Sequence, residues 1–159
     1  MAQNPPSNQG QDPHPSPDGI VRLLERSCVD PNALKVGVES ERIGIWPDGY
    51  TLHYYPESNG ASKRPGAGDL LKKLGESKGW DTKTNEKGEV LGLHTPHGAL
   101  SLEPGSQVEI SANAVSSIQE MDTVLQDYEN TMDEVSQPTG LTWLNTGINT
   151  IASVEELDV

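Results

Sequence analysis

Apolar residues in this chain fall in short separated groups whose spacing changes along its length. Ile20, Leu23 and Leu24 recur at helical steps behind Asp18, which can cap a helix over residues 18–27. From 35 to 46 the pattern turns to alternation. Pro47-Asp48-Gly49 then supplies turn chemistry ahead of a second strand at 50–55, so a hairpin is predicted. Residues 56–68 are polar with several Gly and Pro and read as a loop. Leu70, Leu71 and Leu74 predict a short helix over 69–77. A second hairpin follows, with a strand at 89–94, a Thr95-Pro96-His97-Gly98 turn and a strand from Ala99. The best helix begins at Ser116 or Ser117, each of which has a Gln or Glu three residues on. Ile118, Met121, Leu125, Tyr128, Met132 and Val135 form its apolar stripe, and Pro138 and Gly140 end it. A strand over 141–151 and a helix start at Ser153-Val154-Glu155-Glu156 complete the pattern. There is no internal repeat. Antiparallel hairpins forming a sheet with helices packed on one side give an α+β class.

Composition narrows the picture. A length of 159 residues fits one domain or a piece of a larger one, and 33% hydrophobic content with no Phe predicts a thin core. The net charge of -13, from 24 Asp and Glu against 11 Lys and Arg, excludes a nucleic-acid backbone and an anionic membrane surface as partners. Phosphate-bearing substrates stay open if divalent cations bridge the two negative partners. The single cysteine, Cys28, rules out an internal disulfide and fits a reducing compartment. It reads as a small buried side chain of the first helix. Residues 1–17 hold nothing to bury and are expected to be a disordered leader, with none of the features of a signal peptide. Residues 18–159 then form the N-terminal portion of a larger domain. No stretch approaches a membrane span, so a cytoplasmic protein is expected.

Two segments carry candidate chemistry. In Val38-Glu39-Ser40-Glu41-Arg42, strand alternation puts Glu39 and Glu41 on one face, with Cα atoms roughly 6.5 Å apart. Such carboxylates repel one another, and a divalent cation beside them removes the penalty. A solvated outer face of a sheet accounts for the same pattern. In Leu102-Glu103-Pro104-Gly105-Ser106-Gln107-Val108-Glu109-Ile110-Ser111, Gln107, Glu109 and Ser111 share a face opposite Val108 and Ile110. The Pro-Gly interruption reads as an edge or a bulge that brings Glu103 towards Glu109. Together the segments make an acidic surface whose oxygen ligands suit Mg²⁺ or Mn²⁺ rather than zinc. Mg²⁺ usually takes its remaining ligands from substrate phosphates, which points to nucleotide chemistry. His94 and His97 flank a turn and read as solvent-facing. Trp46, Tyr50, Tyr54 and Tyr55 read as cover for the first hairpin. Gly66-Ala67-Gly68 lacks the Lys-Ser/Thr ending of a P-loop.

These two segments resemble a known family. Val36-Gly37-Val38-Glu39-Ser40-Glu41-Arg42 is similar to the Gly-x-Glu-x-Glu-Lys/Arg first strand of glutamate–cysteine ligases of the plant and bacterial class. Residues 101–111 resemble their Ser-Leu-Glu-Pro-Gly-Gly-Gln-x-Glu-Leu-Ser signature, with Ser106 in place of the second Gly. Ser40 stands where many members carry His. The resemblance implies part of a glutamine-synthetase-like carboxylate–amine ligase fold. It implies ATP-dependent synthesis of γ-glutamylcysteine from L-glutamate and L-cysteine, for glutathione or ergothioneine. It makes Glu39, Glu41, Glu103 and Glu109 Mg²⁺ ligands and brings Arg42, Gln107 and Ser111 close to substrate or phosphate. Family members are much longer, so a missing C-terminal segment or a homodimer is expected to complete the site. Three readings stay open: a ligase, a non-catalytic Mg²⁺- and nucleotide-binding module working with a partner chain, and an inactive remnant.

Overall fold

The computed structural model describes residues 16–28, 30–59 and 62–153. The chain divides after Leu34 into two units. In the first, α1 (Pro17–Ser27) is capped by Ser16, whose Oγ accepts from the Gly19 N–H at 3.2 Å. The cap therefore precedes the expected Asp18, because Pro17, with its fixed φ and no N–H, suits the first helical position. The apolar residues Ile20, Val21, Leu23 and Leu24 of α1 are exposed. Cys28, expected to be buried, is the exposed C-cap of this helix. The leader expected at 1–17 lies almost wholly outside the described residues, and so does the helix expected after Ser153.

The second unit contains β1 (Glu39–Ile45), β2 (Glu57–Asn59), β3 (Ser62–Arg64), α2 (Ala67–Lys78), β4 (Thr82–Thr84), β5 (Val90–Thr95), β6 (Gly98–Glu103), β7 (Gln107–Ala112), α3 (Ile118–Ser136) and β8 (Thr142–Leu144). Six strands form one antiparallel sheet in the order β4-β5-β6-β7-β1-β8. The remaining two, β2 and β3, pair with each other inside the segment expected to be a loop. The α+β class with antiparallel strands is what the hydrophobic pattern predicted.

Leu93, Leu100, Val108 and Ile110 of the sheet cluster with Leu70, Leu71 and Leu74 of α2 and with Val124, Tyr128, Met132 and Val135 of α3. Both helices therefore cover the same face. α2 starts where Gly66 donates its N–H to the Asp69 carboxylate at 3.1 Å. A Cβ on Gly66 would stand 2.3 Å from the Tyr54 carbonyl oxygen, so only glycine lets the two segments meet. The cap of α3 is Ser117, which accepts from the Glu120 N–H, while the Glu120 carboxylate accepts from the Ser116 N–H. Its buried row runs Val124-Tyr128-Met132-Val135, whereas Ile118 is 74% exposed. Tyr128, Met132 and Val135 of the expected stripe are buried, while Val124, which lay outside it, is buried in place of Leu125.

Three expected strands changed form. The return strand at 50–55 shrinks to a bridge between Ile45 and Thr51, because β7 and β8 already flank most of β1. Of the expected aromatic cover, Trp46 is buried but Tyr50 and Tyr55 are exposed. The strand expected over 141–151 stops at Leu144, and Asn149 Oδ1 then accepts from the N–H groups of Ile151 and Ala152, a local turn that leads the chain away. Pro104-Gly105-Ser106 is no bulge. It is the turn of a hairpin in which β6 and β7 pair from Glu103–Gln107 onward.

Candidate acidic site on the open sheet face

In a pleated sheet, residues directly opposite each other across strands share a face. The register therefore fixes three rows across β6, β7 and β1. Ala99 faces Ser111 and Glu39; Ser101 faces Glu109 and Glu41; Glu103 faces Gln107 and Ile43. Glu39, Glu41, Glu103, Gln107, Glu109 and Ser111 thus share the face turned away from α2 and α3. Glu39 is exposed and the other five are half-buried. The hairpin turn brings Glu103 here, since only a reversal sets it opposite Gln107.

Glu41 and Glu109 are the closest carboxylates in register. Like charges directly opposite destabilise a sheet. Each of these has a neutral donor beside it: Gln107 Nε2 donates to Glu41 at 2.8 Å, and Ser111 Oγ donates to Glu109 at 2.7 Å. The loop after β8 runs alongside, where a Cβ on Gly147 would lie 3.7 Å from Glu41 Oε2. The middle row continues outward through Gly92 of β5 to Lys83 of β4, a cation at the far edge of the same face. Neither Lys83 nor Gly147 stands out in the sequence. Both are identified only by register and loop path.

Arg42 is not part of this surface. It follows Glu41 in the strand, so alternation turns it to the helix side, where its side chain is 8% exposed. There its Nη2 lies 2.5 Å from Glu129 Oε1, and its guanidinium carbon sits 5.1 Å from the centroid of the Tyr128 ring. The Tyr128 hydroxyl donates to the Val108 carbonyl at 3.1 Å. Burial pushes the Tyr128 phenol well above its ordinary value; the nearby Arg42 charge opposes that shift and Glu109 adds to it. Glu129 had no signal in the sequence, because a glutamate on a helix surface usually faces solvent.

The donor set can be tested against a metal. Among the described residues, no three His, Cys, Asp or Glu side chains are grouped closely enough to hold an ion by themselves. Hard carboxylate oxygens in a pair fit Mg²⁺ or Mn²⁺ that draws its other ligands from phosphates, and they do not fit a closed zinc site. A separate cavity of about 270 Å³ lies on the helix side, lined by Trp80, Leu100, Ile110 and Tyr128 among others. Its acidic residues Asp127 and Glu134 are paired with His97 and Lys78, so it does not compete as the metal site. Among the described residues no helix is long and apolar enough to cross a membrane.

No family model matches the chain. It is similar to the chloroplastic glutamate–cysteine ligase A of Oryza sativa subsp. japonica, with 25% identity over 149 residues, which is 92% of this chain and 28% of that protein. Ligase B of the same plant gives 24% over 149 residues. The chloroplastic enzyme of Solanum lycopersicum gives 25% over 130 residues, 82% of this chain and 23% of that protein. The likeness takes in both acidic segments, and the chain spans about a quarter of the length of these relatives. Over most of its length the chain is accordingly similar to plant glutamate–cysteine ligases, a resemblance its two acidic segments already carried.

Proposed function

We propose that this chain supplies the metal- and phosphate-binding part of an ATP-dependent carboxylate–amine ligase of the glutamate–cysteine type, with a glutamine-synthetase-like fold. One observation carries the reading: Glu41 stands directly opposite Glu109 on the sheet face turned away from the helices, with Glu39 and Glu103 one row away on either side. In this reading Glu41 and Glu109 hold Mg²⁺ or Mn²⁺, and Glu39 and Glu103 complete the set with the phosphates of ATP. When bound, the ion supplies positive charge that offsets the phosphates and the carboxylates. Gln107 and Ser111 orient the two central carboxylates through their present hydrogen bonds. L-glutamate's γ-carboxylate attacks the γ-phosphorus of ATP and ADP leaves. The amine of L-cysteine then attacks the acyl carbon and phosphate leaves. The product is γ-glutamylcysteine, a precursor of glutathione or a related thiol. A reducing setting fits the single thiol, and the cytoplasm is the one we propose.

A second reading, a non-catalytic Mg²⁺- and nucleotide-binding module completed by a partner chain, is favoured because no three His, Cys, Asp or Glu side chains among the described residues are grouped closely enough to hold an ion by themselves. Coupled ADP release with ATP, Mg²⁺, L-glutamate and L-cysteine separates the two. Turnover that depends on both amino acids supports the ligase. Calorimetric Mg²⁺-ATP binding without turnover supports the module. Absence of both rejects the site.

A further inference from the structure

On its helix-covered face β1 presents Ser40, Arg42 and Gly44, and not one apolar side chain. Strand register is strongly specified where one face buries hydrophobic residues, and weakly where it does not. β6 and β7 have such residues, Leu100, Val108 and Ile110, together with a tight turn between them. β1 has neither a turn to β7 nor an apolar row facing the helices. Ile43 is buried on the opposite face, opposite Gln107. Arg42 is the only large side chain β1 sends towards α3, and it arrives at two adjacent residues of that helix. It pairs with Glu129 and lies over Tyr128, and Tyr128 in turn holds the carbonyl of Val108, the residue directly opposite Arg42 in β7. One turn of α3 thus grips both strands at the same row.

We propose that Arg42 is a positioning residue: its anchorage on α3 sets the β1–β7 register that brings Glu41 opposite Glu109. A slip of two residues would keep every side chain on its face yet would put Glu41 opposite Gln107 or Ser111, and the carboxylate pair would be gone. Arg42 opposes that slip because the shift would carry its guanidinium away from both Tyr128 and Glu129. The consequence for cation binding rests on the metal reading above, whereas the register itself does not.

The test uses disulfide trapping in the full chain with Cys28→Ser. Glu39→Cys with Ser111→Cys reports the β1–β7 register, and Ala99→Cys with Ser111→Cys reports the turn-fixed β6–β7 register. Directly opposed pairs in antiparallel strands come within disulfide reach. Arg42→Met is expected to slow trapping of the 39–111 pair about tenfold, as loss of a charge-assisted anchor implies, and to leave the 99–111 pair unchanged. Arg42→Lys should recover part of the loss. In the chain without these paired cysteines, Mn²⁺ binding should weaken in step. Equal loss at both pairs means general loosening and overturns the proposal, as does an unchanged 39–111 rate in a folded Arg42→Met protein. Should Arg42→Met fail to fold, Glu129→Gln decides on the same two pairs. A parent that traps as expected but binds no Mn²⁺ would reject the metal site and leave the positioning role standing.

Discussion

The turn between β6 and β7 offers a direct measure of how far the backbone conforms to its sequence. Ser106 sits there at φ +60° and is 2% exposed, the only non-glycine residue with positive φ among those described. The left-handed region costs an L-residue with a Cβ about 1–2 kcal/mol, while glycine frees the unfolded chain by about 0.4–1 kcal/mol. Ser106→Gly should therefore stabilise the protein by roughly 0.5–1 kcal/mol, the difference of those two terms. With a urea slope of about 2 kcal/mol/M, the midpoint should rise by about 0.25–0.5 M at unchanged slope. Ser106→Ala is the control, because it removes the same hydroxyl and retains a Cβ at the same φ. If alanine stabilises as much as glycine, the gain comes from removing the buried hydroxyl and the backbone argument fails. If glycine gives no gain, Ser106 bears no strain. The ligase signature has Gly at this place, and the φ angle supplies a physical reason.

Other expectations follow from single contacts. Glu109→Gln should weaken calorimetric Mg²⁺-ATP binding about tenfold or more, as loss of an anionic ligand requires; equal affinity would remove Glu109 from the site. Tyr128 has its phenol pKa raised in the folded state, so the stability it contributes is fully present below its unfolded value of about 10 and declines as pH rises past it. The urea midpoint should fall above about pH 10, and Tyr128→Phe should flatten that part of the profile. Gly66→Ala should destabilise by about 1–3 kcal/mol or more in urea titration, since its Cβ would meet backbone atoms of Tyr54 and Tyr55 that cannot swing aside. The Arg64 guanidinium hydrogen-bonds the Asp48 carboxylate and holds it below its ordinary value. Carboxyl NMR should show this shift, and Arg64→Met should reduce it by removing its largest cause.

Local chemistry, read in order along the chain, determined much of this protein. Leu70, Leu71 and Leu74 marked α2 because helical spacing depends only on neighbours three and four residues apart. The turn at Pro96-His97 and the Ser117 cap are likewise written in a few adjacent residues. Alternation was enough to put Glu39 with Glu41, and Gln107 with Glu109 and Ser111. Followed one residue further, it also turns Arg42 away from them. What alternation cannot supply is the partner of each strand. That Glu41 meets Glu109, that Lys83 ends their row and that Gly147 runs beside them depend on pairings between residues far apart in sequence. Within β5, β6 and β7 those pairings are selected by which rows bury apolar area against α2 and α3, whereas β1, which has no such row, is held by the anchorage of Arg42 on α3. The reversal at Pro104-Gly105-Ser106 and the choice of Val124 over Leu125 as the buried residue were decided in the same way, by packing that exists only once the whole sheet has formed.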